Sequence, residues 1–189
     1  MKIGLYFGSF NPIHVGHLII AAHVANNADV QQVWLVVSPQ NPLKTSSVLL
    51  NEYHRLHLVR LATDGDQQVK VSDIEFKLPK PSYTIDTLVY LKEKYPQHEF
   101  SVIIGSDSFQ NLPRWKNYEI LLKEYEFIVY QRKGYEIKNL PEAKINVLNA
   151  PLLDISATVI RQNIKEGKSI RYLIPEKARE EIEKYGYYK

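Results

Sequence analysis

The strongest constraint on the fold lies in residues 2–17. An apolar run, Lys2–Phe7 (KIGLYF), ends in Gly8-Ser9 and passes through a loop containing Pro12. Two histidines three positions apart, His14 and His17, then open an apolar stretch, Leu18–Ala25. This pattern predicts a strand, a tight loop and a helix start. Such a junction aims backbone N–H groups and the positive end of a helix dipole at one spot above the strand. It predicts an anion seat with two imidazoles beside it.

The rest of the chain repeats the alternation. Gln32–Val37, Phe100–Ile104, Glu126–Tyr130 and Ile145–Leu148 read as strands, and Val69–Phe76 as one strand or a bent pair. Asn51 is placed to cap a helix to about Thr63, with Leu56, Val59, Leu61 and Ala62 on its apolar face. Ser82 or Thr84 caps a second helix that stops before Pro96. Residues 108–116 read as a loop or broken helix, and Asn117–Glu124 as a short helix. Ser156–Glu166 and Pro175–Tyr185 close the chain, with Pro175 at a first helical position. The expectation is an α/β, Rossmann-like fold: a mostly parallel sheet flanked by helices, with C-terminal helices, in a single domain over 1–189. The loops Gly8–His14, Ser38–Lys44 and Gly105–Trp115 then share one crevice beyond the carboxyl ends of the strands.

Composition narrows the chemistry. The chain has no cysteine, which excludes disulfides, thiolate nucleophiles and Cys-based zinc sites. A net charge of +3, with Lys and Arg scattered among acids, suits an anionic small molecule and gives no nucleic-acid footprint. No run approaches the ~20 apolar residues of a membrane span, and the N-terminus does not resemble a signal peptide. The expected compartment is the cytoplasm. Self-association as a homo-oligomer stays open.

Four groups of residues can carry chemistry. His14 and His17 stand beside the first loop, where imidazole N–H groups can stabilise charge on a transferring phosphoryl group. A metal site is disfavoured, because no Glu-containing zincin motif and no third ligand accompany the pair. Ile155–Arg161 (ISATVIR) sets Ser156 at a helix cap, Thr158 in the first turn and Arg161 one turn on. That is a second anion seat with a guanidinium fork, or a plain cap with a surface Arg. Pro81–Thr87 (PSYTIDT) and Leu112–Lys116 (LPRWK) offer a helix N-terminus for a carboxylate and Trp115 as a stacking surface or a core residue. Lys44 and Asp107 follow strands, where they can hold a phosphate and ribose hydroxyls or remain solvated. There is no Walker sequence and no GxGxxG.

Taken together, Gly8-Ser9-Phe10-Asn11-Pro12-Ile13-His14-Val15-Gly16-His17 and Ile155-Ser156-Ala157-Thr158-Val159-Ile160-Arg161 resemble the GxFxPxHxGH and ISxTxxR motifs of the nucleotidyltransferase superfamily. Within it, PSYTIDTL (Pro81–Leu88) and GSDSFQNLPRW (Gly105–Trp115) are similar to bacterial nicotinate-nucleotide adenylyltransferases. The resemblance implies adenylyl transfer from ATP to nicotinate mononucleotide, giving deamido-NAD and pyrophosphate. It implies that His14, His17, Ser156, Thr158 and Arg161 embrace the ATP phosphates, with Ile155 opening the second motif. It assigns the α-phosphate region to the backbone of Gly8, Ser9 and Phe10, and the adenosine to Gly105 and Asp107. Tyr83, Thr84, Trp115 and Lys116 would hold the nicotinate end, and Lys44 the mononucleotide phosphate. Family members often carry a His before that Lys, where this chain reads Asn41-Pro42-Leu43-Lys44. No resident metal is implied; Mg²⁺ arrives with ATP.

Overall fold

The computed structural model describes residues 1–40, 42, 49–137, 143–151 and 153–189. Strands β1 (Lys2–Gly8) and β4 (Glu99–Gly105) lie side by side in a parallel sheet, with Tyr6 opposite Ile103. From β1 the sheet extends through β2 (Gln32–Val37) to β3 (Val69–Ser72). From β4 it extends through β5 (Glu126–Tyr130) to β6 (Ile145–Leu148). The order is β3-β2-β1-β4-β5-β6, so winding reverses between β1 and β4. At that reversal the loops leaving the two strands part to opposite faces, and a crevice opens.

Both faces of the sheet are covered, which is why the strands read as near-continuous apolar runs. On one face lie α1 (Val15–Asn27), α2 (Glu52–Ala62), α6 (Ala157–Lys165) and α7 (Glu176–Tyr185). They bury Ile20, Val24, Leu56, Val59, Ile160 and Ile182 with Tyr6, Phe10 and Leu35 of the sheet side. On the other face lie α3 (Thr84–Lys94), α4 (Ser106–Gln110) and α5 (Tyr118–Glu124). Their Ile85, Leu88, Leu91, Phe109 and Leu121 pack on Ile3, Leu5 and Val102. The alternation within β1 (Ile3 and Leu5 one way, Tyr6 the other) is the pleat at work. None of the described helices is long and apolar enough to cross a membrane.

Several local expectations are corrected. The run 69–76 is neither one strand nor a bent pair: β3 ends at Ser72 and a 3₁₀ turn, Ile74–Lys77, follows. The Ser72 hydroxyl accepts the Ile74 N–H at 3.3 Å, a local bond that diverts the backbone from the ladder. Thr84 is the first residue of α3 rather than its cap; Tyr83 holds the cap position and the Ser82 hydroxyl turns away to Glu75. Pro175 sits at the cap rather than in the first turn. Asn51 does cap α2, accepting from the Tyr53 N–H at 2.9 Å. Yet the buried face of α2 is Arg55, Leu56, Leu58 and Val59, with Leu61 and Ala62 half-buried. Within 108–116 the chain forms the end of α4 and a 3₁₀ turn, Leu112–Arg114. The C-terminal tail is packed: Gly186 ends α7 in the left-handed region (φ 64°), and Tyr188 is buried against the first core.

Candidate active site

β1 delivers the site's floor. Gly8 is its last residue, and Phe10 follows with a left-handed backbone (φ 43°). That turn folds the Phe10 ring back over Gly8, where a Cβ would lie 2.8 Å from the ring. Glycine is therefore required at position 8 by a neighbouring side chain. The Phe10 ring then meets the edge of His17 at 5.1 Å between centroids.

α1 delivers the two histidines. His14 is the N-cap and His17 the third helical residue, and their rings stack at 3.6 Å. The His14 backbone N–H donates to Nδ1 of His17 at 3.3 Å. A neutral His17 that accepts at Nδ1 carries its proton on Nε2. The donor N–H of that ring then lies on its far side. His14 packs over Gly16, where a Cβ would sit 3.0 Å from its Nδ1. His14 is only 6% exposed, and burial followed by the field of Arg132 pushes its pKa down to about 4. At neutral pH it is an imidazole, not an imidazolium. One expectation is narrowed: the α1 N-terminus does not present all its amides to a ligand. The Val15 N–H donates to the Leu173 carbonyl at 3.0 Å, and the His17 N–H to the His14 carbonyl at 3.0 Å.

The second motif closes on the first. Ser156 caps α6 and accepts the Val159 N–H at 3.3 Å. Arg161 donates to the Asn11 carbonyl at 2.7 Å across 150 residues, and to the Thr158 hydroxyl at 3.3 Å. Ile155 lies against the space beside Gly16, 4.0 Å from where a Cβ would stand. Ser156 and Thr158 remain exposed, facing solvent at the helix start. The two ends of the chain therefore form one constellation.

On the β4 side, Gly105 ends the strand and caps α4, with Asp107 in the first turn. Asp107 Oδ1 stands 3.3 Å from Arg132 Nε, an ion pair outside aligned hydrogen-bond geometry. Arg132 also donates to the Tyr130 hydroxyl at 3.2 Å, and Tyr130 meets the Tyr6 hydroxyl at 3.3 Å. Burial, then Tyr130, raises the Tyr6 pKa well above its ordinary value, so it stays a neutral phenol. Its ring edges both Phe10 and His17. A polar chain thus runs from Asp107 beneath the crevice to the histidine side.

The third group gathers at the start of α3. Lys116 pairs with Asp86 at 2.8 Å and lies 4.9 Å above the Tyr83 ring. Thr84 is in the first turn, where amides have no intrahelical partner. Trp115 is half-buried: one part packs against the second core and the other is exposed beside Lys116. Beneath this group Glu75 is 2% exposed and accepts from the hydroxyls of Ser82 (2.7 Å) and Thr87 (3.0 Å). Burial raises its pKa, and hydrogen bonds from Ser82, Ser38 and Thr87 pull it back. Lys44, with Asn41 and Leu43, lies outside the described residues.

Sequence reasoning missed Arg132, Tyr130, Tyr6, Glu75 and Arg55. Arg132 lies two residues past the end of β5, so its place at the carboxyl edge of the sheet was available from the strand rule. Glu75 was hidden by reading 69–76 as strand. Among the described residues no group of three or more His, Cys, Asp or Glu side chains is placed to hold a metal ion.

A parallel sheet with a switch-point crevice at the carboxyl ends of its strands is the architecture of the nucleotide-binding α/β class. Residues 5–163 match the cytidylyltransferase-like family, and the chain belongs to it. The probable nicotinate-nucleotide adenylyltransferase of Flavobacterium johnsoniae is 54% identical, covering 100% of both chains. That of Cytophaga hutchinsonii is 51% identical over 100% of this chain and 98% of its own. The fold matches Plasmodium falciparum nicotinic acid mononucleotide adenylyltransferase complexed with NaAD, with a TM-score of 0.83, 24% identity, and 99% and 97% coverage of the two chains.

Proposed function

We propose that the chain is the enzyme that transfers the adenylyl group of ATP to nicotinate mononucleotide, forming deamido-NAD and pyrophosphate in NAD biosynthesis. Full-length relatives at 51–54% identity bearing that name support the acceptor. The observation that carries the reaction class is the Arg161–Asn11 bond, which joins the two phosphate-binding motifs into one seat.

The chemistry asks little of a base. A phosphate oxygen of the mononucleotide, already anionic, attacks the α-phosphorus. The bond from that phosphorus to the β-phosphate oxygen breaks, and pyrophosphate leaves with the electron pair. Alignment and charge neutralisation are then the main tasks. In our reading His17 donates from Nε2 to the α-phosphate, where negative charge is redistributed in the transition state. His14 adds a neutral N–H. Ser156, Thr158 and Arg161 hold the β- and γ-phosphates, with the backbone of Gly8, Ser9 and Phe10 below. Gly105 and Asp107 take the adenosine. Thr84 and Lys116 offer backbone amides to the nicotinate carboxylate, with Tyr83 and Trp115 against the ring and Lys44 on the acceptor phosphate. Mg²⁺ enters as part of MgATP. We place the reaction in the cytoplasm.

Acid is favoured over amide because a carboxylate accepts from every converging N–H, whereas a carboxamide turns donors toward them. A pyrophosphate-release assay with MgATP and a panel of acceptors tests the reading. Nicotinate mononucleotide is expected to give the fastest release, ahead of its amide and of phosphopantetheine. Release with none of them overturns the enzyme assignment; faster release with another acceptor overturns the substrate.

A further inference from the structure

Arg55 is the largest fully buried side chain of the protein, with 0% exposure among the described residues. It sits in the first turns of α2, on a face where helix periodicity calls for an apolar residue. Among the described residues, none of the hydrogen bonds of its guanidinium reaches a carboxylate. All go to main-chain carbonyls: Nε to Leu50 (2.7 Å), Nη1 to Ser9 and to Ser38 (2.8 Å), and Nη2 to Pro39 (2.9 Å). The nearest acid on its own helix, Glu52, is engaged by Lys80.

These four carbonyls are scattered in sequence and adjacent in function. Ser9 belongs to the turn after β1, directly beside Gly8 and Phe10. Ser38 and Pro39 follow β2 and lead into residues 40–49. Leu50 closes that same segment, and its N–H donates to Asn11 Oδ1 at 3.2 Å. The Asn11 carbonyl in turn accepts from Arg161. One planar fork therefore ties the phosphate turn to both stems of the segment that follows β2. A guanidinium can do this because its donors diverge in a fixed plane; an ammonium has three donors at one point and a shorter reach. Placing a charge in a core is costly, and an apolar residue would serve packing alone better.

We propose that Arg55 is a positioning residue for the transfer reaction: it fixes the Ser9 turn against the Ser38–Pro39 and Leu50 stems, so that the two substrates' phosphates are held in register. It touches neither substrate. Its positive charge, met by carbonyl dipoles and by the fields of Tyr188 and Glu52, also lies beneath a seat for polyanions. The proposal rests on the adenylyl-transfer reading for its kinetic arm and on ATP binding alone for its other arm.

The test compares wild type with Arg55→Lys. Thermal melting reports folding. Calorimetry with a non-hydrolysable MgATP analogue reports the phosphate seat, and pyrophosphate release with nicotinate mononucleotide reports transfer. For Arg55→Lys, melting within a few degrees of wild type is expected, with an analogue Kd raised at least fivefold and a kcat lowered at least tenfold. A Kd and kcat within twofold of wild type, at whatever melting temperature, overturn the proposal. If Arg55→Lys does not fold, the slowly exchanging guanidinium Nε–H signal of wild type decides by NMR. A shift on adding the MgATP analogue supports positioning, and no shift overturns it. A wild type that binds the analogue but turns over none of the acceptors overturns the transfer reading instead, and leaves Arg55 to the Kd arm.

Discussion

The backbone N–H of His14 donates to Nδ1 of His17, and the two rings stack at 3.6 Å. One residue thereby sets the tautomer of the other. His17→Ala removes an Nε2 donor whose worth lies mainly in the transition state, so kcat is expected to fall about 10²–10³-fold. KM for both substrates is expected to change little. Steady-state kinetics with MgATP and nicotinate mononucleotide checks this; an effect on KM alone would remove His17 from the chemical step.

His14 also makes stability depend on pH. Its folded pKa lies at about 4, below the ordinary 6.5. Between those values the unfolded chain binds a proton that the folded chain refuses. Stability from this group is present above 6.5 and is lost as pH falls toward 4. The full loss is up to about 3 kcal/mol. Urea unfolding of the ligand-free protein at pH 7 and pH 4.5, beside His14→Gln, measures it. The variant is expected to lose less stability than wild type across that interval; equal losses would show that burial does not hold His14 neutral.

Gly8→Ala puts a methyl 2.8 Å from the Phe10 ring. Overpacking of this kind costs about 1–3 kcal/mol. The displaced ring is the one that edges His17, so kcat is expected to fall about tenfold, or ~1.4 kcal/mol of barrier. Melting temperature and kcat, measured together, are both expected to drop. A loss of stability with unchanged kcat would confine Phe10 to packing.

The acceptor end is tested by Glu75→Gln and Trp115→Ala. The first turns an amide NH₂ toward one of the hydroxyls of Ser82 and Thr87, which flank Thr84, where that hydroxyl now donates. A mismatched buried pair costs about 1–3 kcal/mol. The second removes the exposed part of the indole, with a loss of about tenfold in acceptor binding. Both are expected to raise KM for nicotinate mononucleotide and spare that for ATP. Equal losses for the two substrates would make these residues general supports of the fold.

The sequence by itself determined the strand–helix alternation, the strand positions apart from where β3 ends, and the two motifs. Those signals are local: a β-rich run ending in Gly8, a cap at Ser156, apolar periods between. The resemblance of the two motifs to a known family implied phosphate roles for His17 and Arg161. What the sequence left open depended on long-range partners. Arg161 fits both a guanidinium fork and a plain surface position in the sequence; its bond to the Asn11 carbonyl, 150 residues away, exists only in the tertiary structure. Trp115 was neither wholly core nor wholly exposed. Glu75 sat in an alternating run that read as strand, and Arg55 sat on a helix face that read as apolar. Both are buried charges whose partners are hydroxyls and carbonyls brought together by the crossing of β1, β2 and α3. No local pattern encodes them, since burial of a charge is settled only by which dipoles the tertiary structure places around it.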